Sequence, residues 1–256
     1  MRTLYTVFIL AKLNASEWIR LKFFHIVLFF AILFLAFSHL LSALTFSVQE
    51  RLLYDFGLAG LEIGLIMIAS LIGSHSIQRE IDRKTLFVLL SRPIPRSSVV
   101  IGSWLSIFLL SLIFTFGFLG SLIFTADGGI AYKGLFIAAY ASLLKALVIT
   151  SFSIACGLMV RPLLALVATI SYWILCYSVL DIQFFANKMP DSPLIKVIEV
   201  LKKVLPEFYA YNWKSYYYIT NVPSEASVLW ATFHSIAWIC LWLFLATMFF
   251  RKKEIV

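Results

Sequence analysis

The sequence predicts an all-α membrane protein with six transmembrane helices, and its composition and its long apolar runs support this prediction. Of the 256 residues, 62% are hydrophobic and only 13% are charged, and the mean hydropathy is +0.95. Ordinary soluble domains contain about 25% charged residues. Lipid offers the backbone no hydrogen bonds, so a spanning segment must be a helix or part of a closed barrel. The apolar runs are continuous rather than alternating, which favours helices.

Six apolar runs are long enough to cross a bilayer as helices. A helix needs about 20 residues to cross about 30 Å of hydrocarbon, and charged or turn-forming residues bound each run. The predicted spans are residues 23–46, 56–76, 98–124, 134–160, 163–180 and 228–250. Together they predict a single transmembrane domain that covers residues 1–256.

The basic residues predict the orientation of these spans. An even number of spans puts both termini on one side, and a cytoplasmic location of the termini places most of the 21 Lys and Arg residues there. The formal net charge of +8 then reflects this topology and contact with anionic headgroups, so we predict no nucleic-acid partner. We expect a multi-pass protein of the cell inner (cytoplasmic) membrane.

Residues 1–22 predict an amphipathic helix in the membrane interface. The apolar residues that recur there at helical spacing are Leu4, Phe8, Ala11, Ala15 and Trp18. Basic residues beside them suit contact with headgroups. The segment is either a plain juxtamembrane anchor or an elbow helix that passes motion from a cytoplasmic partner into the bundle.

The loop after the second predicted span, residues 77–96, combines charges, apolar residues and prolines. Glu80 and Lys84 have the spacing of an i,i+4 ion pair, and Pro93 disfavours helical geometry at Arg92. Apolar residues that would share one side of a short helix are Ile81, Leu86, Leu89 and Leu90. The pattern predicts a short cytoplasmic helix nearly parallel to the membrane. An ordinary basic loop that obeys the positive-inside rule is the alternative.

This loop resembles the signature of ABC-2 type transporter permeases, in which a charged helix leads into Thr-Leu, further apolar residues and Ser-Arg-Pro. The matching residues are Glu80, Arg83, Lys84, Thr85, Leu86, Leu89, Leu90, Ser91, Arg92, Pro93, Arg96 and Gly102. The sequence is most similar to the branch whose permeases are encoded apart from their ATPase, including those linked to copper-enzyme maturation and to gliding motility.

The resemblance implies that the loop is a coupling helix that docks in a groove of a separate ABC ATPase subunit. The residues expected to make or orient this contact are Glu80, Arg83, Lys84, Leu86, Leu90, Arg92 and Pro93. The resemblance also implies a second permease copy or a related permease. We expect ATP and Mg on the ATPase and no cofactor on this chain, since no Gly-Lys pair of a phosphate-binding loop occurs in the sequence.

Glu62 in the second predicted span and Lys145 in the fourth are the ionisable residues deepest in apolar sequence. A charge without a partner is costly there, and both spans enter the membrane from the outer side. A salt bridge between them is therefore geometrically feasible. A structural pair, a Glu62 side chain that snorkels outward, and a role in substrate or proton passage are the open alternatives.

The predicted outer connection, residues 182–227, is amphipathic and contains a helical pattern over residues 194–205. Its aromatic residues include Tyr209, Tyr211, Trp213, Tyr216, Tyr217 and Tyr218. They predict an aromatic belt at the outer interface. The alternative is an external gate, or a docking face for a periplasmic partner or an amphiphilic substrate.

Two other features concern packing and metal binding. Gly57, Gly60 and Gly64 repeat at helical spacing, which favours tight packing within the chain or at a subunit interface.

The three cysteines lie singly in apolar segments, so we predict neither disulfides nor a metal site.

The predicted function is that of the permease subunit of an ATP-driven exporter, in which export follows from the resemblance alone. An ion-coupled secondary transporter that uses Glu62 and Lys145 is the alternative. The sequence lacks the Gly-x-Ser-Gly, Gly-x-Gly-Asp and His-Glu-x-x-His motifs of intramembrane proteases. We therefore predict no catalytic residues in this chain.

Overall fold

A computed structural model describes residues 2–44, 49–82, 95–124, 132–186, 188, 194–214 and 223–252. Every regular element within these ranges is a helix, which confirms the predicted all-α class. The helices are α1 (Arg2–Arg20), α2 (Lys22–Leu44), α3 (Gln49–Met67), α4 (Gly73–Asp82), α5 (Arg96–Phe124), α6 (Tyr132–Met159), α7 (Pro162–Ala186), α8 (Leu194–Val204) and α9 (Glu225–Lys252). A π-helical turn (Ile68–Ile72) joins α3 to α4, and a 3-10 turn (Phe208–Tyr211) follows α8.

Five helical segments in the described ranges are long and apolar enough to cross a membrane. They are Leu53–Ile81, Arg96–Phe124, Tyr132–Met159, Pro162–Val179 and Glu225–Lys252. A sixth candidate is the pair Tyr5–Arg20 and Phe24–Leu40, which is bent by 63°. The bend separates α1 from the first predicted span, and the location of α1 in the membrane interface stays a prediction.

The second span continues further than the sequence pattern indicated. The sequence pattern predicts the end of the span at residue 76, but α4 runs without a break to Asp82. No proline interrupts this stretch, so residues 77–82 extend the span and do not begin a separate helix. Residues 83–94, which hold the rest of the predicted coupling helix, lie outside the described residues. The chain is described again from Pro95, whose carbonyl accepts a hydrogen bond from the Ser98 amide at 2.9 Å.

Helix α6 lies at the centre of the bundle. It packs against α3, α4, α5, α7 and α9, and it buries residues on all sides from Gly134 to Leu158. A helix that is apolar all round is stable only when other helices or lipid surround it. By contrast, α9 leaves most of its surface exposed. Helix α6 is therefore the element against which the other spans are positioned.

Helix α1 packs mainly on α5. Ala11, Ala15 and Trp18, three members of its predicted apolar face, are buried. Phe8, which the same pattern put on this face, is 58% exposed. The buried part of the face is thus limited to the C-terminal half of α1, where the side chains meet the bundle.

The three regularly spaced glycines of α3 allow close packing within the chain. A Cβ atom on any of them would collide with a neighbouring side chain: Leu122 for Gly57, Phe34 for Gly60 and Phe114 for Gly64. These side chains belong to α2 and α5. The glycine ridge therefore serves packing inside this chain, which was the first of the two interpretations of its spacing.

Small residues also allow α4 to approach α6 closely. A Cβ atom at Gly157 would lie 2.6 Å from the backbone oxygen of Ser74. Ser153, one turn earlier, donates a hydrogen bond to the Ser70 carbonyl at 3.5 Å. Close backbone approach through small residues is a common way for helices to associate in membranes.

We expect Gly157→Ala to destabilise the protein, because the new methyl group meets backbone that cannot rotate away. Overpacking of this kind costs about 1–3 kcal/mol, and thermal unfolding in detergent will show a lower melting temperature. Gly117→Ala on α5 is the matched control, since nothing lies within 4 Å of its Cβ position. Equal melting temperatures for the two variants would contradict the close crossing of α4 and α6.

Candidate functional site

Three charged side chains meet inside the bundle, and we call them the charge cluster. Lys145 Nζ lies 3.1 Å from Glu62 Oε1, and Lys214 Nζ lies 2.6 Å from Glu62 Oε2. Glu62 and Lys145 are each 1% exposed, whereas the side chain of Lys214 is 26% exposed. One carboxylate is thus shared between a buried ammonium and a partly accessible one.

The helices bring Glu62 and Lys145 to the same depth. Each residue lies about 20 Å along its helix from the first residue, Gln49 in α3 and Tyr132 in α6. Because α3 packs on α6, the two side chains face each other in the interior. Glu62 therefore does not snorkel outward to solvent in this bundle.

Aromatic and amide groups surround the charge cluster. Lys145 Nζ lies 5.3 Å from the ring centroid of Tyr177 on α7, a distance at which an ammonium is attracted to the ring. The side chain of Asn212 also interacts with the Tyr177 hydroxyl. Residues 212–214 of the outer connection therefore contact the site through both Asn212 and Lys214.

The outer connection enters the bundle above the charge cluster, and we call residues 205–214 the plug segment. Phe208, Tyr211 and Trp213 are buried in it, and burial raises the pKa of Tyr211. Tyr211 packs edge-on against Trp230 and His234 of α9. Non-helical backbone is tolerated at membrane depth only where protein or a water-filled cavity surrounds it.

This placement changes the interpretation of the outer aromatic residues. Tyr211 and Trp213 pack inside the protein, so they do not form part of an interfacial belt. Tyr209 is 54% exposed and remains compatible with one. Tyr216, Tyr217 and Tyr218 lie outside the described residues.

A second set of polar contacts joins α1 to the end of α4, and we call it the α1–α4 joint. Arg79 Nη2 lies 2.7 Å from Glu17 Oε1, and the Arg79 guanidinium lies 5.1 Å from the ring centroid of Trp18. Asn14 Nδ2 donates a hydrogen bond to Glu80 Oε1 at 3.0 Å. Glu80 lies about 27 Å further along the helix than Glu62, so this joint is distant from the charge cluster.

Arg96, the first residue of α5, also contacts another helix. Its guanidinium Nη1 donates hydrogen bonds to the carbonyls of Phe250 at 3.1 Å and Arg251 at 3.2 Å. Carbonyls in the last turn of a helix lack partners within that helix, and a cation there is also favoured by the helix dipole. Arg96 thus holds the start of α5 to the end of α9.

Comparison with known families identifies the family of this chain. A family model described as ABC-2 family transporter protein matches residues 60–255, a range that contains the charge cluster, the plug segment and Arg96. The chain belongs to the ABC-2 transporter family. No curated protein gives a significant match.

The chain is therefore an ABC transporter permease and a multi-pass membrane protein. Members of this family are membrane subunits, generally without an ATPase motif of their own, and the family in general implies an ABC ATPase partner. The match confirms the family that the loop motif indicated. Membership of the ABC-2 family does not identify the substrate.

Only one of the expected ATPase contacts of this ABC-2 permease falls within the described residues. Glu80 lies in α4, where Asn14 donates a hydrogen bond to it. The others lie outside the described residues, namely Arg83, Lys84, Leu86, Leu90, Arg92 and Pro93. Their contact with an ATPase stays a prediction.

Sequence reasoning missed Lys214 and most of the α1–α4 joint. Lys214 is a single basic residue in an aromatic stretch, and its sequence neighbourhood does not reveal that the connection folds inward. Asn14, Glu17 and Arg79 looked like ordinary polar residues near predicted membrane ends. Their pairing depends on the angle between α1 and the bundle.

The described residues contain no group of three His, Cys, Asp or Glu side chains arranged to hold a metal ion. Cys156, Cys176 and Cys240 are free thiols. The charge cluster, with two lysines and one carboxylate, has the wrong ligands for a cation.

We expect substitutions in the charge cluster to destabilise the permease in a defined order. Glu62→Gln leaves two ammoniums without their shared carboxylate, and loss of one partner of a buried pair costs about 3–5 kcal/mol. Lys145→Met costs less, because Glu62 keeps Lys214, and Lys214→Met costs least, because this lysine is partly exposed. Melting temperatures in detergent measure the order.

The double variant Glu62→Gln, Lys145→Met tests whether the penalty comes from unpaired charge. It should melt above Glu62→Gln alone, because it removes the fully buried ammonium that Glu62→Gln leaves unpaired. A double variant less stable than both singles would show that the pair acts through packing and not through charge.

Proposed function

We propose that this permease couples ATP hydrolysis on a separate ABC ATPase subunit to the export of a solute across the inner (cytoplasmic) membrane. Membership of the ABC-2 family supports the ATPase partner. The distribution of basic residues supports cytoplasmic termini. In this proposal ATP and Mg bind to the partner, two permease copies or related permeases share one pathway, and this chain binds no cofactor.

The observation that carries the proposal is that the described residues on both sides of residues 83–94 contact other helices. On one side, Arg79 and Glu80 connect α4 to α1. On the other side, Arg96 connects α5 to the end of α9. A partner that pushes on this segment therefore acts on four helices together. Closure of an ATPase dimer would reach the bundle as a collective tilt and not as the displacement of one loop.

The outer half of the permease supports a gated pathway. The plug segment buries Phe208, Tyr211 and Trp213 above the charge cluster, and Lys214 fastens it to Glu62 in α3. Movement of α3 and α4 at the cytoplasmic side would act on this contact through the continuous segment Leu53–Ile81. We infer that ATP-driven motion opens the outer side by releasing the plug segment.

An ion-coupled secondary transporter is the second candidate function, because Glu62 is a buried carboxylate within a span. The geometry is less favourable to this function. Lys145 and Lys214 contact one oxygen each of Glu62, so neither oxygen is open to a coupling cation. Transport by the purified permease alone, driven by an ion gradient and independent of nucleotide, would favour this candidate.

Copurification with candidate ATPase subunits from the same genome tests the partner. We expect the native permease to retain an ATPase and Leu90→Asp to lose it, because a carboxylate would replace an apolar contact in the groove. Lys203→Glu, an exposed change in α8, is the control and should retain the ATPase. If none of the candidate ATPases binds the native permease, the coupling proposal fails.

A charge swap tests the α1–α4 joint. We expect Arg79→Glu and Glu17→Arg each to lower ATP-driven transport several-fold while the ATPase stays bound, because like charges then separate the two helices. The double variant Glu17→Arg, Arg79→Glu should recover most of the transport. Since an exposed pair contributes only about 0–1 kcal/mol to stability, melting temperatures should change little. Equal transport by all three variants would show that the joint does not transmit motion.

A further inference from the structure

We propose that Lys145 and Lys214 form a binding site for an anionic group of the transported solute, a carboxylate or a phosphate, and that Glu62 fills this site while the plug segment is closed. The proposal rests on the transport function inferred above and names the chemical class of its substrate. It gives the charge cluster a role beyond the stability of the bundle.

The first argument is the balance of charge. Two ammoniums share a single carboxylate, which leaves one positive charge in excess in an environment that screens charge poorly. The next acidic residue on the same face of α3 is Asp55, about 10 Å closer to the start of the helix, and it has interactions of its own. Glu207, the acidic residue of the plug segment, is exposed and interacts with Tyr211 and His234. The sequence of residues 215–222 contains no acidic residue. The excess charge therefore favours an additional or replacement anion.

The second argument is the geometry of the carboxylate. Glu62 uses one oxygen for Lys145 at 3.1 Å and the other for Lys214 at 2.6 Å. A carboxylate or phosphate on a ligand presents two oxygens at a similar spacing and forms equally strong charge-assisted hydrogen bonds. Such a group can replace Glu62 at Lys214 and share Lys145 with it, so the buried carboxylate keeps a counter-ion. A neutral or cationic solute offers no comparable exchange.

The third argument is the difference in access to the two lysines. Lys214 is 26% exposed, whereas Lys145 is 1% exposed. Lys214 belongs to the plug segment, while Lys145 is fixed on the central helix α6. An anion that enters would meet Lys214 first and Lys145 second. The Tyr177 ring, 5.3 Å from Lys145 Nζ, supplies an apolar wall that keeps water away and strengthens the attraction.

The exchange also links binding to opening. When a ligand anion takes Lys214, the Glu62 contact that fastens the plug segment to α3 is lost. The solute would then release the segment that covers it. With the ligand anion on Lys214, Glu62 keeps Lys145 as its counter-ion, so the buried carboxylate stays paired and no covalent step is needed.

Binding of anionic probes to the full-length permease in nanodiscs tests the proposal without any ATPase. Native mass spectrometry would compare phosphatidylglycerol with phosphatidylcholine, and isothermal titration with inorganic phosphate would test a free anion. We expect Glu62→Gln to bind one of the anionic probes about 10-fold more tightly, because the internal competitor is gone. We expect Lys214→Met to bind it about 10-fold more weakly, as loss of a charge-assisted hydrogen bond predicts.

Lys203→Met is the matched control, since it removes an exposed lysine from α8 and should leave binding unchanged. Enrichment of phosphatidylglycerol alone would identify a lipid headgroup as the source of the anion, and a response to phosphate alone would identify a soluble solute. If Glu62→Gln does not fold, Lys214→Met against Lys203→Met still decides the question. Equal binding of both anionic probes to the native permease, Lys214→Met and Lys203→Met overturns the proposal.

The binding result and the ATPase result are independent. Anion binding in nanodiscs with no ATPase retained would leave the site in place and remove the coupling proposal. Retention of an ATPase with no anion binding would support the coupling proposal and overturn the anion site.

Discussion

The buried ammonium of Lys145 is the constraint on which much of the bundle depends. A charge at the centre of α6 is tolerated only with a counter-ion at hydrogen-bond distance. Glu62 supplies it, and this requirement holds α3 against α6 at one register. The same carboxylate then accepts Lys214, so a pair that fixes two helices also fixes the outer connection. A single carboxylate thus connects α3 both to the central helix α6 and to the plug segment.

The second span carries two sets of polar contacts, one in its interior and one at its end. The charge cluster lies about 20 Å along the helix from Gln49, and the α1–α4 joint lies about 27 Å further on. Between them, the turn Ile68–Ile72 has π-helical geometry, a local irregularity that often occurs at functional positions in helices. Below that turn, Gly157 lets α4 lie directly on α6. Ion pairs therefore hold the span in its interior and at its end, and small residues allow close packing between these two points.

The contacts on either side of residues 83–94 suggest how force on these residues would be distributed. Arg79 and Arg96 both pair outside their own helix, and each lies close to one end of segment 83–94. The two arginines differ in their partners: Arg79 meets a side-chain carboxylate and an indole ring, whereas Arg96 meets the carbonyls at the end of α9. A guanidinium suits both tasks because it donates in several directions within one plane. Helices α1 and α9 would thus move with the segment, although neither adjoins it in sequence.

The sequence by itself determined the all-α membrane class, five of the candidate spans and the family, because these depend on apolar run length and on a local motif around residues 80–102. It also indicated that Glu62 and Lys145 would need each other, since burial of a charge has a cost that composition alone reveals. Only the tertiary structure decided that α4 continues to Asp82, that the outer connection folds inward, and that Lys214 joins the pair. The inward fold of the connection and the place of Lys214 depend on contacts between residues that are distant in sequence. The hydrophobic pattern of an aromatic loop is the same whether the loop lies at the membrane surface or inside the bundle.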